Sequence, residues 1–85
     1  MNDVGSLEAS VRELFATLLG VSIDRVDDRA QPGTIESWDS MQHLILVSGF
    51  EEEFGIDVDP EEAVDMYESF AVFKRIVLKK LENRR

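Results

Sequence analysis

The chain has no cysteine among its 85 residues, and this feature limits how it can fold more than any other. A chain of this length buries about 60–65% of the surface that it exposes when unfolded, which is enough for one modest core. Neither a disulfide nor a thiolate metal site can support that core. We therefore expect one domain over residues 1–85, held together by helix packing alone, and a reducing cytoplasm as its location.

Helix signals divide the chain into four segments. N-capping residues or a proline at the first helical position stand at the starts, and glycine follows two of the ends. These signals are Ser6, Asp39, Asp59-Pro60 and Ser69 at the starts, and Gly20 and Gly55 at the ends. They predict an all-α bundle with helices over about residues 6–19, 39–54, 60–67 and 69–83, in the order long, long, short, long.

Apolar spacing predicts which faces of these helices pack. In the first and last helices the apolar residues recur every three or four positions, as they do along the buried stripe of an amphipathic helix. The second helix has large apolar residues on two opposite faces. We expect Leu44, Val47, Phe50 and Phe54 to pack, and Met41, Ile45, Ser48 and Glu52 to meet solvent or partners.

A long loop over residues 21–39 separates the first two predicted helices, and it contains Pro32-Gly33 and only isolated apolar residues. A connection of this length in a small domain is usually functional or is held down by its own apolar side chains. We expect Ile23, Val26, Ile35 and Trp38 to hold this loop against the core.

The formal net charge is -9, and the acidic residues are unevenly placed. From Ala30 to Phe73 there are eleven acidic residues and no lysine or arginine. Such a surface repels nucleic acid and anionic lipid but attracts basic protein surfaces. The longest apolar run, Leu44–Val47, is also far shorter than the roughly 20 residues of a membrane span. We expect protein partners, with no nucleic acid and no membrane.

Ser40 is the residue whose position suggests chemistry. It follows the capping Asp39, so it should be exposed at the first position of a rigid helix, beside backbone N–H groups that have no partner within the helix. Helix starts of this kind favour phosphate through these donors and through the helix dipole. A phosphodiester on the Ser40 hydroxyl would therefore be stabilised there, although Asp39 and Glu36 oppose it.

Residues 38–41, Trp-Asp-Ser-Met, are followed by Leu44, Val47 and residues 50–56, Phe-Glu-Glu-Glu-Phe-Gly-Ile. This pattern resembles the Asp-Ser-Leu motif and second helix of acyl carrier proteins, and the resemblance extends over nearly the whole chain. It implies an acyl-carrier-like four-helix bundle that is itself not an enzyme. It also implies that a phosphopantetheinyl transferase attaches 4'-phosphopantetheine from coenzyme A to Ser40, with Asp39 contributing to recognition by that enzyme.

The same resemblance implies what such a protein would carry and meet. Its arm would hold acyl, polyketide or aminoacyl intermediates as thioesters, which can be shielded between the helices. Its partners would be acyl or aminoacyl ligases, ketosynthases, acyltransferases and thioesterases. Trp38, directly before the motif, is similar to its counterpart in free-standing carriers of specialised metabolism. The short termini favour a free-standing protein over a domain excised from a long synthase, although an excised domain could have the same termini, and we expect a monomer.

The second helix departs from the pattern of fatty-acid carriers, which often have acidic residues early in it. This chain has Gln42, His43 and Ile45 there and delays its acids until residues 51–53. We therefore expect an unusually apolar docking face. The predicted partner-binding residues are Met41, Ile45, Glu52 and Glu62.

Three alternatives accompany this prediction. Ser40 could be an ordinary residue of a helix start in an interaction module that is never modified. Ser40, His43 and Asp39 could form a small hydrolytic site, although we expect His43 to be a surface histidine. The acidic residues from Asp57 to Asp65 suggest a calcium loop, but Glu62 stands where that loop requires glycine, so we expect no dedicated metal site.

Overall fold

A computed structural model describes residues 4–83, and within that range it contains four α-helices and no strand. The helices are α1 (Val4–Leu19), α2 (Ser40–Phe54), α3 (Pro60–Met66) and α4 (Phe70–Glu82), and a 3-10 turn at Ile23–Arg25 lies between α1 and α2. The prediction of an all-helical chain with four helices is confirmed. None of the helices in this part of the chain is long and apolar enough to cross a membrane.

Local capping signals fix most of the helix ends. Asp39 and Ser69 are the N-caps of α2 and α4, and Pro60 is the first residue of α3. Gly55 follows α2 with a left-handed φ of 65°, a conformation that costs glycine little. The prediction for α1 is wrong at its start, because the helix already begins at Val4 and Ser6 lies inside it.

The core is built around the ring of Phe15, which is fully buried on α1. Three aromatic rings meet it edge to face, with centroid distances of 4.9 Å to Trp38, 4.7 Å to Phe70 and 5.1 Å to Phe73. Edge-to-face pairs place the positive edge of one ring against the negative face of the other and so add to the gain from burial. This cluster joins α1, the loop and α4.

The loop between α1 and α2 is held to the core by buried side chains and by hydrogen bonds. Val26, Ile35 and Trp38 are buried as predicted, but Ile23 is 37% exposed, so that prediction is wrong. Ile23 begins the 3-10 turn, and it is Val26, directly after the turn, that points inward. The Arg12 side chain donates from Nε to the Val26 carbonyl over 2.6 Å, which ties the turn to α1.

The predicted packing face of α2 is turned by about one residue from the observed one. The buried residues are His43, Leu46, Val47 and Phe50, at positions i, i+3, i+4 and i+7. Leu44, which we expected to pack, is 65% exposed. The apolar spacing predicted the wrong face because a histidine occupies the buried stripe of α2. The prediction considered only apolar residues as candidates for burial.

Gly49 lies where α2 comes closest to α1. A Cβ atom at this position would lie 2.8 Å from Cδ1 of Leu18, which is shorter than a normal carbon contact. The close approach of Leu18 thus accounts for a glycine inside the helix. The contact keeps α2, and with it Ser40, tightly against α1.

Candidate functional site

The start of α2 has the geometry that the sequence predicts. The Oδ1 atom of Asp39 accepts a hydrogen bond of 2.8 Å from the N–H of Gln42, and the Asp39 backbone is extended, as expected for a capping residue. Ser40 is the first helical residue and is exposed. Its hydroxyl is therefore accessible to another molecule on a helix start that the cap holds in place.

An open groove of about 500 Å³ begins at Ser40 and runs between α2 and α3. We call it the α2/α3 groove. Its walls are mostly apolar, and His43 lines it on the buried side. The other residues that form it include Ser40, Met41 and Leu44 on α2, and Ala63, Val64 and Tyr67 at α3.

Apolar side chains are unusually exposed around this groove. Met41, which lines the groove, is 73% exposed, and Ile45, which does not line it, is 52% exposed, so both predicted docking residues are exposed. Leu44 and Val64, at 65% and 72%, extend the same surface, and neither was predicted to belong to it. Single exposed apolar residues are common, whereas several around one groove indicate an interaction surface.

His43 lies at the bottom of the groove and is not a surface residue, so that prediction is wrong. Its ring is 5% exposed, and both ring nitrogens have hydrogen-bond partners. Trp38 Nε1 lies 3.0 Å from Nδ1, and the Ala63 carbonyl oxygen lies 2.7 Å from Nε2. We call this arrangement the His43 bridge, because it joins the loop to α3 through one side chain of α2.

The partners of the His43 bridge determine the protonation state of the ring. The indole N–H of Trp38 can only donate, so Nδ1 must accept, and the Ala63 carbonyl can only accept, so Nε2 must donate. The ring is therefore neutral with its proton on Nε2. Desolvation by burial lowers the pKa of His43, and the hydrogen bond to the Ala63 carbonyl opposes this in part.

This geometry bears on the hydrolytic alternative. A histidine that activates a serine must offer it an unprotonated nitrogen within hydrogen-bond reach. Nδ1 of His43 is the acceptor nitrogen, and it is occupied by Trp38. Asp39 caps α2 and accepts from Gln42, so it does not orient the ring either. Ser40, His43 and Asp39 are neighbours without the contacts of a catalytic triad.

The two predicted acidic docking residues differ in their surroundings. Glu52 is exposed on α2. Glu62 makes a 2.8 Å ion pair with Lys80 and accepts a 3.0 Å hydrogen bond from the Asp59 N–H. These two hydrogen bonds hold the pKa of Glu62 below its ordinary value. Glu62 thus has a structural role in joining α3 to α4, and its contact with a partner stays a prediction.

Sequence reasoning missed the groove wall and the His43 bridge for different reasons. Val64 is exposed in the short acidic helix α3 and is followed by the exposed Asp65, and this acidic setting was a usable signal of a surface position. The bridge had no comparable signal, because Ala63 contributes only its carbonyl oxygen.

A search against models of known protein families finds none that matches the chain.

Proposed function

We propose that this protein is a carrier that holds acyl, polyketide or aminoacyl intermediates as thioesters on a 4'-phosphopantetheine arm attached to Ser40. The observation that carries the proposal is an exposed serine at the first position of α2, directly after a capping aspartate and at the mouth of an apolar groove. The resemblance of residues 38–56 to acyl carrier proteins supports the same function. The arrangement of two long helices, a short helix and a further long helix is compatible with an acyl-carrier-like bundle.

The surroundings of Ser40 fit a phosphodiester. The helix start leaves the Ser40 and Met41 N–H groups outside the helical hydrogen-bond ladder, and the dipole of α2 favours negative charge at this end. The Asp39 carboxylate opposes the added charge and its capping bond occupies the Gln42 N–H, so the stabilisation rests on the Ser40 and Met41 N–H groups and on the dipole. When bound, the arm supplies a thiol that forms the thioester, and the chain supplies its attachment point and its surroundings.

The exposed surface beside Ser40 suits protein partners whose docking surfaces combine apolar and basic side chains. Met41 and Ile45 offer apolar contact, and Glu52 offers a charge further along the same helix. A transferase, a ligase, a ketosynthase, an acyltransferase or a thioesterase that docks here would need an apolar patch next to basic side chains. We further propose that the protein acts as a monomer in the cytoplasm, in fatty-acid-like or specialised-metabolite biosynthesis.

Modification of Ser40 can be tested directly. The purified protein is incubated with coenzyme A, Mg²⁺ and a broad-specificity phosphopantetheinyl transferase, and its intact mass is measured. We expect a gain of one phosphopantetheine group, because the Ser40 hydroxyl is accessible on a rigid helix start. Ser40→Ala should gain nothing, whereas Ser48→Ala, which changes another exposed serine of α2, should be modified like the wild type.

The second candidate function is an interaction module that has this fold but never carries the arm. The exposed apolar surface formed by Met41, Leu44, Ile45 and Val64 would serve that function equally well. A wild-type protein that stays folded and unmodified in the transferase assay would favour it and would reject the carrier proposal.

A further inference from the structure

The His43 bridge separates the α2/α3 groove from the protein core. The ring of His43 lines the groove, yet it is almost completely buried, so its outer side faces the groove and its inner side faces the core. Tyr67 packs against it with ring centroids 4.9 Å apart, and the Phe73 ring lies 6.2 Å away. Any group that passes from the groove into the core here has to displace these rings.

Displacing His43 would be costly because both of its hydrogen bonds are inside the protein. If the ring moved, Trp38 Nε1 would be left without an acceptor and the Ala63 carbonyl would lose its donor. A buried polar group that loses its partner destabilises the fold by its full desolvation cost. An apolar chain that entered along this path could not replace either bond.

The space behind the bridge is filled by packed aromatic rings. Trp38 and Phe73 are 1% and 0% exposed. The Phe15 ring contacts both of them edge to face. Packed interiors of this kind accept an additional group only by moving several side chains out of their preferred positions.

We propose that a group tethered at Ser40 stays outside the core, in the α2/α3 groove against Leu44 and Val64, and that the His43 bridge bars its way inward. The inference rests on the proposed carrier function and specifies its cargo. The groove is open to solvent, so it can cover a short or compact acyl group but leaves a long alkyl chain in contact with water. The protein therefore suits cargo of a few carbons or one ring, which differs from the shielding between helices that the family resemblance implies.

The experiment compares forms that carry acyl groups of increasing length. The transferase loads Ser40 from butanoyl-, octanoyl- or dodecanoyl-coenzyme A, and intact mass confirms each product. If Ser40 gains no acyl-phosphopantetheine group, the intact mass shows this before any Tm values are compared, and the carrier function itself is rejected. The thermal midpoint, Tm, and the fluorescence of Trp38, the single tryptophan of the chain, are then measured for each form.

A group that is buried only in the folded state raises Tm in proportion to the apolar area it buries. We expect the three forms to agree in Tm within roughly 3 °C, which is less than the shift that burial of several methylene groups gives in a domain of this size. Trp38 emission should also be the same in all three. A larger, progressive rise in Tm with chain length would overturn the proposal, as would a shift of Trp38 emission in the longer forms.

Variants test whether the His43 bridge is the barrier. His43→Ala removes the ring, and Trp38→Phe removes the donor to Nδ1 while keeping an aromatic ring. We expect a lower Tm for both unloaded variants, and a Tm that rises with acyl length in whichever of them folds. Ser48→Ala is the control, since it changes an exposed residue of α2 outside both the groove and the bridge and should leave Tm independent of chain length. If a bridge variant folds but its Tm does not depend on acyl length, the role assigned to His43 is wrong. If neither variant folds, the wild-type series alone decides the proposal.

Discussion

The buried ring of His43 is held by a tryptophan of the loop on one side and by a backbone carbonyl of α3 on the other. Its neutral state is part of the fold, because protonation of Nδ1 would remove the acceptor of the Trp38 indole N–H. His43 of α2 thus connects the loop to α3. The stability of the protein should therefore respond to the protonation of this single side chain.

The expected pH dependence follows from the lowered pKa of His43. Below its ordinary value of 6.5 the unfolded chain binds a proton that the folded protein still excludes. The free energy of unfolding should therefore fall as the pH falls through about 6.5 toward the lowered pKa of the folded protein, with a slope of at most about 1.4 kcal/mol per pH unit. Urea denaturation at a series of pH values measures this slope.

His43→Gln is the control for this prediction, because glutamine is polar and does not titrate. Its free energy of unfolding should be lower than that of the wild type near neutral pH and should change much less over the same interval. Equal pH dependence in the two proteins would show that carboxylates, and not His43, cause the effect.

At the scale of elements, the loop between α1 and α2 matters most, because it carries Trp38 and Asp39 to the site. Two arginines bind loop carbonyls over the same distance of 2.6 Å, Arg12 at Val26 and Arg25 at Thr34. The first bond is partly buried and the second is exposed. Arg12 also donates from Nη2 to the Ile23 carbonyl over 3.3 Å in an exposed bond, so replacing it tests the partly buried bond together with this longer one.

We expect Arg12→Met to destabilise the protein by about 1–3 kcal/mol, because it leaves the Val26 carbonyl without its donor in a partly buried position. Arg25→Met should cost less than about 1 kcal/mol, since water can replace the lost donor at Thr34. Methionine keeps much of the apolar stem in both variants. Denaturant midpoints measured under one set of conditions compare them, and equal losses would contradict the structural role assigned to Arg12.

The elements themselves could largely be predicted from sequence, because their ends depend on short-range chemistry. Asp39 and Ser69 cap the helices that follow them, and Gly55 ends α2, as predicted. What could not be predicted depends on partners distant in the chain. The burial of His43 requires Trp38 and the Ala63 carbonyl, and the exposure of Leu44 follows from the orientation that His43 and Leu46 give to α2. Ser40 was placed correctly because its position needs only the cap.

At the scale of the whole molecule, the chain has a net charge of -9, and its described residues form a body of about 35 × 27 × 19 Å. At an ionic strength of about 0.01 M the Debye length is about 30 Å, so nearly every pair of charges interacts across the molecule. At about 0.5 M the charges are screened beyond a few Å. The repulsion among the acidic residues should therefore decrease strongly between these two conditions.

We expect the protein to become more stable on this change, with a higher Tm in about 0.5 M NaCl than in about 0.01 M NaCl. Parallel scans in KCl separate screening from specific binding of one cation. A lower Tm at high salt would mean that ion pairs such as Lys74 with Glu8 and Asp28 outweigh the repulsion.

The hydrogen bond from the Phe70 N–H to the Ala30 carbonyl, 2.8 Å long, connects the first residue of α4 to the middle of the loop. During synthesis the ribosome completes α1, the loop and α2 before Phe70 emerges, so this bond forms late. The rings of Phe70 and Phe73, which close the cluster around Phe15, arrive with it. A growing chain that lacks α4 would therefore present Ser40 on an unfinished support. We infer that the serine acquires its final surroundings only after α4 has been made.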